Sequence, residues 1–320
     1  MKKRQQRGAA LLMVLVALAM LAGGLAWMVE QGRNEVASVQ IVQQRVQARA
    51  IEKAALAFAE QALKDPVWRA SPLFWQALRG QPLSYDFAGG KSSIRIVDLH
   101  RCFNVNSLIG PDAERAQRQL VHLLGDDMAA ERLTQTLNDW LDSDQQSRQQ
   151  GAENNEYLRL TPPRLAANQR MVDTSELNLL LPANSQRELR LRQLCALPET
   201  DGWRLNANAL NLDELPLLEA LYEGEIGRAQ LTRLISGRPP GGYKDASELR
   251  QAMGAMEDEL FAQLTEGLLL NGDHFLVQLE TELDGQMFRS QYRVEAQGVV
   301  KWHSRVPAQE MVVRERQVGM

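Results

Sequence analysis

The sequence predicts an α+β fold: a long N-terminal helix, followed by an antiparallel β-region interrupted by a large inserted block of helices. Three observations predict it. An uncharged run of 21 residues, 9–29, passes into an amphipathic stripe that continues to Asp65-Pro66. Apolar and polar residues alternate in the segments before residue 97 and again after residue 273. Between those two regions, residues 101–267 read as helices and loops.

The N-terminus comes first. Lys2, Lys3, Arg4 and Arg7 crowd the start, Gly8 follows, and the next charge is Glu30. Residues 9–29 match the roughly 20 residues an α-helix needs to cross the hydrocarbon core of a membrane. The positive flank sets the N-terminus in the cytoplasm and exports the rest. A secretory signal peptide has a shorter apolar region and a small-residue cleavage site beyond it. Ala17-Leu18-Ala19 is such a site in form, but the apolar run continues past it. Gly8, wedged between the last cation and the first apolar residue, resembles the processing site of type IV prepilins and pseudopilins. The resemblance implies cleavage between Gly8 and Ala9 by a prepilin peptidase, with the apolar helix retained; a plain uncleaved anchor is the alternative.

Beyond the membrane face, Val36, Val39, Val42, Val46, Ala50, Ala54 and Phe58 fall three or four apart on one helical stripe. Asp65-Pro66 is a natural stop, because proline lacks the N–H and restricts the residue before it. One helix over 9–64 is about 80 Å long. A membrane helix joined at Gly32 to a separate soluble helix is the alternative. Prepilin-like proteins usually carry glutamate at the fifth mature position, where this chain has Met13. A carboxylate in lipid needs a cationic partner, so a subunit without one enters a filament with no neighbour to satisfy it. That suits a tip.

The β-region opens with Leu83-Ser84-Tyr85-Asp86-Phe87, the pair Gly89-Gly90, and Ile94-Arg95-Ile96, which read as a hairpin. Residues 274–283, 287–297 and 299–306 are strand-like, with Asp284-Gly285 as a turn. Inside the helical block, Asn104-Val105-Asn106-Ser107-Leu108 finds an echo in Asn206-Ala207-Asn208-Ala209-Leu210. The second copy leads into residues 215–221 and 226–235, a helix-hairpin-helix pattern with capping asparagines. Such units often bind DNA at the hairpin, but Tyr222-Glu223-Gly224-Glu225-Ile226-Gly227 carries two acids and no nearby lysine. Phosphate is repelled there.

These blocks extend the resemblance. Asn104-Val105-Asn106-Ser107-Leu108, Asp139-Trp140-Leu141-Asp142-Ser143-Asp144, Gly151-Ala152-Glu153 with Tyr157, and Leu205-Asn206-Ala207-Asn208 with Gly237-Arg238-Pro239 are similar, in order, to signature blocks of the K-type minor pseudopilins of the type II secretion system. The implied fold is type IV pilin-like: a long N-terminal helix packed on an antiparallel sheet, with a large inserted α-helical domain. The implied divisions are a cleaved leader (1–8), the pilin helix (9–64), the first β-region (65–100), the insertion (101–269) and the last strands (270–320). The implied role is structural, not enzymatic: initiating and capping the tip of the type II secretion pseudopilus, for export of folded proteins across the outer membrane. The implied partners are other minor pseudopilins, the major pseudopilin, the prepilin peptidase and the inner membrane, with the bulk of the chain periplasmic. The partner surface is expected on Val36, Val39, Val42, Val46 and Phe58. A membrane-tethered DNA-uptake protein using the hairpin unit is the alternative, and the charge argues against it. Lys and Arg number 36 against 40 Asp and Glu, for a net charge of −4. Without the four basic residues before Gly8 the balance is 32 to 40, the opposite of a nucleic-acid binder.

Two sites carry chemistry. Counting Asp142 as position one puts Asp144 at three, Gln146 at five and Glu153 at twelve, the oxygen positions of a calcium loop. Ser147 replaces the glycine expected at six, so this is not a standard EF-hand. Asn155 and Asp139 are further candidate ligands, and the resemblance implies calcium in a structural role. A solvated acidic loop is the alternative. Cys102 and Cys195, in an exported segment, are expected to form a disulfide, with two reduced buried thiols as the alternative. No nucleophile–base pairing or metal spacing of His100, His122, His274 and His303 points to catalysis.

Overall fold

The computed structural model describes residues 3–180, 191–297 and 300–305. Helix α1 (Lys3–Lys64) is one unbroken helix of 62 residues. It begins before Ala9 and runs through Gly32, so the reading of two joined helices is replaced by one rod. It stops before Asp65, whose carboxylate accepts from the Val67 N–H at 2.9 Å and so caps the next helix. Two short helices follow, α2 (Pro66–Arg69) and α3 (Pro72–Leu78), each started by a proline at its first turn. The sequence reads this stretch only as turns, because four and seven residues are too few for a helical period to show.

The sheet is five-stranded and antiparallel. Strands β1 (Leu83–Phe87) and β2 (Gly90–Asp98) precede the insertion. Strands β7 (His274–Leu283), β8 (Gln286–Glu295) and β9 (Val300–Arg305) follow it. Their order is β1-β2-β7-β8-β9, so strands far apart in sequence pair directly, with Ile94 opposite Leu279. Both hairpins form at the expected turns. The expected third strand holds over 300–305, with Val299 and Val306 outside the described residues.

Period two decides which face is buried. Ile94 and Ile96, Phe275, Val277 and Leu279, and Tyr292 and Val294 share one core with Ala55, Ala59 and Leu63 of α1 and with Phe74, Trp75 and Leu78 of α3. Each large apolar side chain buried there contributes about 1.5–3 kcal/mol. The helix meets the sheet through alanines because a methyl side chain lets its backbone lie close to the strands.

The insertion hangs from the ends of β2 and β7 and has its own continuous core, from Phe103 to Leu268. Four two-residue strands pair within it in parallel: β3 (Phe103–Asn104) with β4 (Leu194–Cys195), and β5 (Leu205–Asn206) with β6 (Leu268–Leu269). Two residues show no alternation, so the sequence reading of this block as helices and loops misses them. Helices α4 (Ala113–Leu124) and α5 (Met128–Leu141) follow the first asparagine block, and α7 (Leu215–Leu221) and α8 (Arg228–Ser236) follow the second. A short α6 (Asn154–Tyr157) lies between, and α9 (Ala246–Met253) and α10 (Asp258–Glu266) lead to β6.

The joint between sheet and insertion is polar. Asp98 is fully buried; its carboxylate accepts from His100 N at 2.8 Å and from Asn206 Nδ2 at 2.5 Å. Beside it His274 Nε2 meets Glu199 Oε1 at 2.7 Å, with Asp273, Glu295 and the His100 ring also close by. The Glu199 hydrogen bond holds His274 above the usual histidine range, against the opposing effect of burial. A raised folded-state pKa means that the His274 contribution is complete below the unfolded value of about 6.5 and is lost as pH rises through the folded value. We therefore expect stability to fall with rising pH from about 6.5 up to the raised folded value. His274→Gln should flatten the slope in urea titrations at stepped pH; an unchanged slope would assign it to other groups.

Candidate functional site

The acidic loop begins where α5 stops. Asp142 ends the helix, its N–H bonded to the Asn138 carbonyl at 2.9 Å, and the chain doubles back so that Glu153 starts α6. This return brings one carboxylate oxygen each of Asp142, Asp144 and Glu153 within 4.8 Å of one another. Gly151 makes the approach possible, because a Cβ there would lie 1.9 Å from Asp139 Oδ2. Arg148 Nη1 bridges Asp139 Oδ1 and Asp142 Oδ2, both at 2.6 Å.

The loop gathers more negative than positive charge. Arg148 pairs with Asp139 and Asp142, while Asp142 also converges with Asp144 and Glu153. Glu153 is 2% exposed, and beyond a weak approach of the Asn154 N–H its oxygens lack a hydrogen-bond partner, as does Asp142 Oδ1. Burial first, then Asp139 and Asp142, push the Glu153 carboxyl up to about 7. Burial also raises Asp139 in spite of Arg148. An all-oxygen donor set with surplus charge and orphaned buried oxygens fits a hard divalent cation of calcium type. The side chains of Gln146 and Asn155 lie on the same two segments and are exposed; the convergent carboxylates are Asp142, Asp144 and Glu153.

The apolar stripe of α1 is open. Val36, Val39, Val42, Val46 and Phe58 are each 50–65% exposed, while Ala48, Ala55, Ala59 and Ala62 on another face are buried. The stripe legible in the sequence is therefore not the face that holds the domain together. Phe58 alone is partly engaged, edge-on to Trp68 at 6.3 Å. Below it, α1 contains an exposed segment long and apolar enough to cross a membrane, with mean hydropathy 2.4. Gly8 and Ala9 lie in the helical backbone, and their side chains fall outside what is described.

Cys102 and Cys195 form the expected disulfide, with Cα atoms 5.7 Å apart. The hairpin between α7 and α8 is occupied within the chain: Glu223 pairs with Arg118 at 3.0 Å and Arg115 at 3.8 Å, both on α4. The turn thus joins the two halves of the insertion.

Two family models, both described as type II secretion system (T2SS), protein K, match residues 101–199 and 205–271. Type II secretion system protein K of Pectobacterium carotovorum subsp. carotovorum is 29% identical over 99% of this chain and 98% of that protein. The corresponding Escherichia coli (strain K12) protein is 30% identical over 75% of this chain and 77% of its own length. The crystal structure of the GspK-GspI-GspJ complex from the enterotoxigenic Escherichia coli type 2 secretion system shares the fold. Its TM-score is 0.61 at 23% identity, over 82% of this chain and all of that chain. Matched blocks in order, near full-length relatives and a shared architecture give one conclusion: the chain belongs to the type II secretion system protein K family, the K-type minor pseudopilins.

Proposed function

We propose that the chain initiates and caps the pseudopilus tip, anchored in the inner membrane by α1 with its N-terminus cytoplasmic and its bulk in the periplasm. The carrying observation is the open stripe Val36, Val39, Val42 and Val46, a helix face that the chain's own sheet leaves uncovered. An exposed apolar stripe of this kind fits the helices of neighbouring pseudopilins. The structural neighbour was solved as a complex of three proteins, which supports other minor pseudopilins as the partners; the major pseudopilin would follow below them. The bulk of the insertion and the absence of a carboxylate at Met13 both suit a subunit with nothing above it. Cleavage by the prepilin peptidase between Gly8 and Ala9 would release the leader and leave α1 as the assembly surface.

Co-purification with the other minor pseudopilins tests the reading. Val42→Glu combined with Val46→Glu should abolish recovery of the complex while shifting the stability of the isolated domain by no more than about 0.5 kcal/mol, as expected of surface positions. Undiminished recovery would defeat the helix-face role. Mass spectrometry of the mature chain should find Ala9 first, and a start at Met20 or later would defeat it as well.

Calcium, in this reading, is structural. Asp142, Asp144 and Glu153 would hold it, with Gln146, Asn155 and Asp139 as further oxygen donors, and it would supply the charge that Arg148 alone does not. At a hundredfold excess over the dissociation constant, a ligand of the native state adds about 2.7 kcal/mol. Thermal melts with calcium and with chelator should therefore separate for the wild type and coincide for Glu153→Gln. Superimposed wild-type melts would rule the metal out.

A further inference from the structure

The turn that carries the chain into the insertion and the turn that brings it back lie side by side. β2 ends at Asp98 and β7 begins at His274, and the Leu99 N–H donates to the His274 carbonyl at 2.9 Å. This pairing brings together His100 and His274, far apart in sequence, with ring centres 5.8 Å from each other. Both residues are more than nine-tenths buried.

Two carboxylates face their Nε2 atoms. Asp273 Oδ1 lies 3.2 Å from His100 Nε2 and 3.8 Å from His274 Nε2, and Glu199 Oε1 lies 2.7 Å from His274 Nε2. Around a tetrahedral zinc ion with bonds of about 2.0–2.2 Å, ligand atoms stand roughly 3.3 Å apart and two imidazole centres roughly 5 Å apart. The three contacts bracket the first distance, and the ring spacing is close to the second. The four ligand atoms form an open chain, from His100 through Asp273 and His274 to Glu199. Closing it on one ion requires the carboxylate arms to swing, and these are the accessible members, their side chains 68% and 45% exposed.

The residues behind this chain aim it. Asp98 Oδ1 accepts the His100 backbone N–H and stands 3.2 Å from His100 Nδ1. A proton on Nδ1, held by that carboxylate, turns the Nε2 lone pair outward to Asp273. A lone pair facing a carboxylate oxygen needs a proton or a cation between them. A carboxylate behind a histidine is also the usual outer support of a metal-bound imidazole, fixing its tautomer and orientation. Gly272 leaves room for the turn, since a Cβ there would lie 2.1 Å from Asp98 Oδ2. The backbones of the two carboxylate ligands are tied as well: Asn104 Nδ2 donates to the Glu199 carbonyl and the Ala296 N–H to the Asp273 carbonyl, both at 2.7 Å.

We propose that His100, His274, Asp273 and Glu199 form a site for a zinc-type transition-metal ion, which pins the entry, the exit and the middle of the insertion to the end of the sheet. Imidazole nitrogen with carboxylate oxygen suits zinc and its neighbours, whereas calcium takes oxygen alone. The site differs in chemistry from the acidic loop, and it rests on neither the calcium reading nor the tip role. The pH dependence expected above for His274 describes the chain in chelator.

The full chain without a histidine tag, stripped with chelator and then dialysed against zinc in calcium-containing buffer, tests this. Wild type should retain a single zinc, and so should Asp142→Asn with Glu153→Gln, which alters only the acidic loop. Cobalt in place of zinc should give the intense visible bands of a four-coordinate site. His100→Gln with His274→Gln should lose those bands and weaken zinc by about tenfold or more. Asp273→Ala changes an exposed side chain, so it keeps the fold, and it should also weaken zinc by about tenfold or more. Zinc held equally by wild type, the histidine pair and Asp273→Ala would place the ion elsewhere and overturn the site, as would a wild type that retains none.

Discussion

Replacing Asn106 by leucine is expected to cost about 3–5 kcal/mol of unfolding free energy, measured by urea denaturation of the domain that follows the apolar segment of α1. Asn106 is fully buried and serves three backbone groups: the N–H and carbonyl of Met171 and the carbonyl of Leu197. Leucine has the same branched shape, is larger and has no polar atom, so each of the three groups is left unsatisfied out of reach of water, at about 1–3 kcal/mol apiece. The bonds also join segments 65 and 91 residues away in sequence, so their loss loosens chain closure as well as local bonding. Asn208→Leu should behave alike, since it has the same three kinds of partner around Tyr243 and Leu270. A loss below about 1 kcal/mol in either variant would show that these buried hydrogen bonds are dispensable.

Removing the disulfide should have a similar or larger effect. Cys102 and Cys195 are 93 residues apart, and closing a loop of that length in the unfolded chain is worth about 4–5 kcal/mol on the chain-entropy account. The bridge sits on the β3–β4 pairing, where Asn104 is opposite Cys195, so it closes the first half of the insertion at its base. Cys102→Ser with Cys195→Ser should lower the urea midpoint accordingly, with the second half affected less than the first in exchange experiments. If the midpoint hardly moves, the parallel ladder and the Asn106 hydrogen bonds hold the first half closed by themselves.

Much of the architecture is legible from the chain because it rests on periodicity. The alternation in His274–Leu283 and the turn at Asp284-Gly285 place the strands within a residue or two of their observed ends. The acidic loop is legible as well, since Asp142, Asp144 and Glu153 carry ligand spacing along the sequence and converge in space. What stays hidden has no local signal. The four short parallel strands are set by partners up to about ninety residues away. Arg148, which bridges two of the acids, looks like any surface arginine until the loop folds back.

The sequence by itself determined that α1 is long, apolar at its start and amphipathic beyond, because helix length and face follow from the spacing of side chains along one element. Only the tertiary structure decided which face the sheet takes. It takes the alanines at 48, 55, 59 and 62 and leaves the valines at 36, 39, 42 and 46 to solvent. The physical reason is distance of approach: small side chains let the helix lie on a β-surface already filled by Ile96, Phe275 and Val277. The larger valine stripe projects on another side, where none of the described elements covers it.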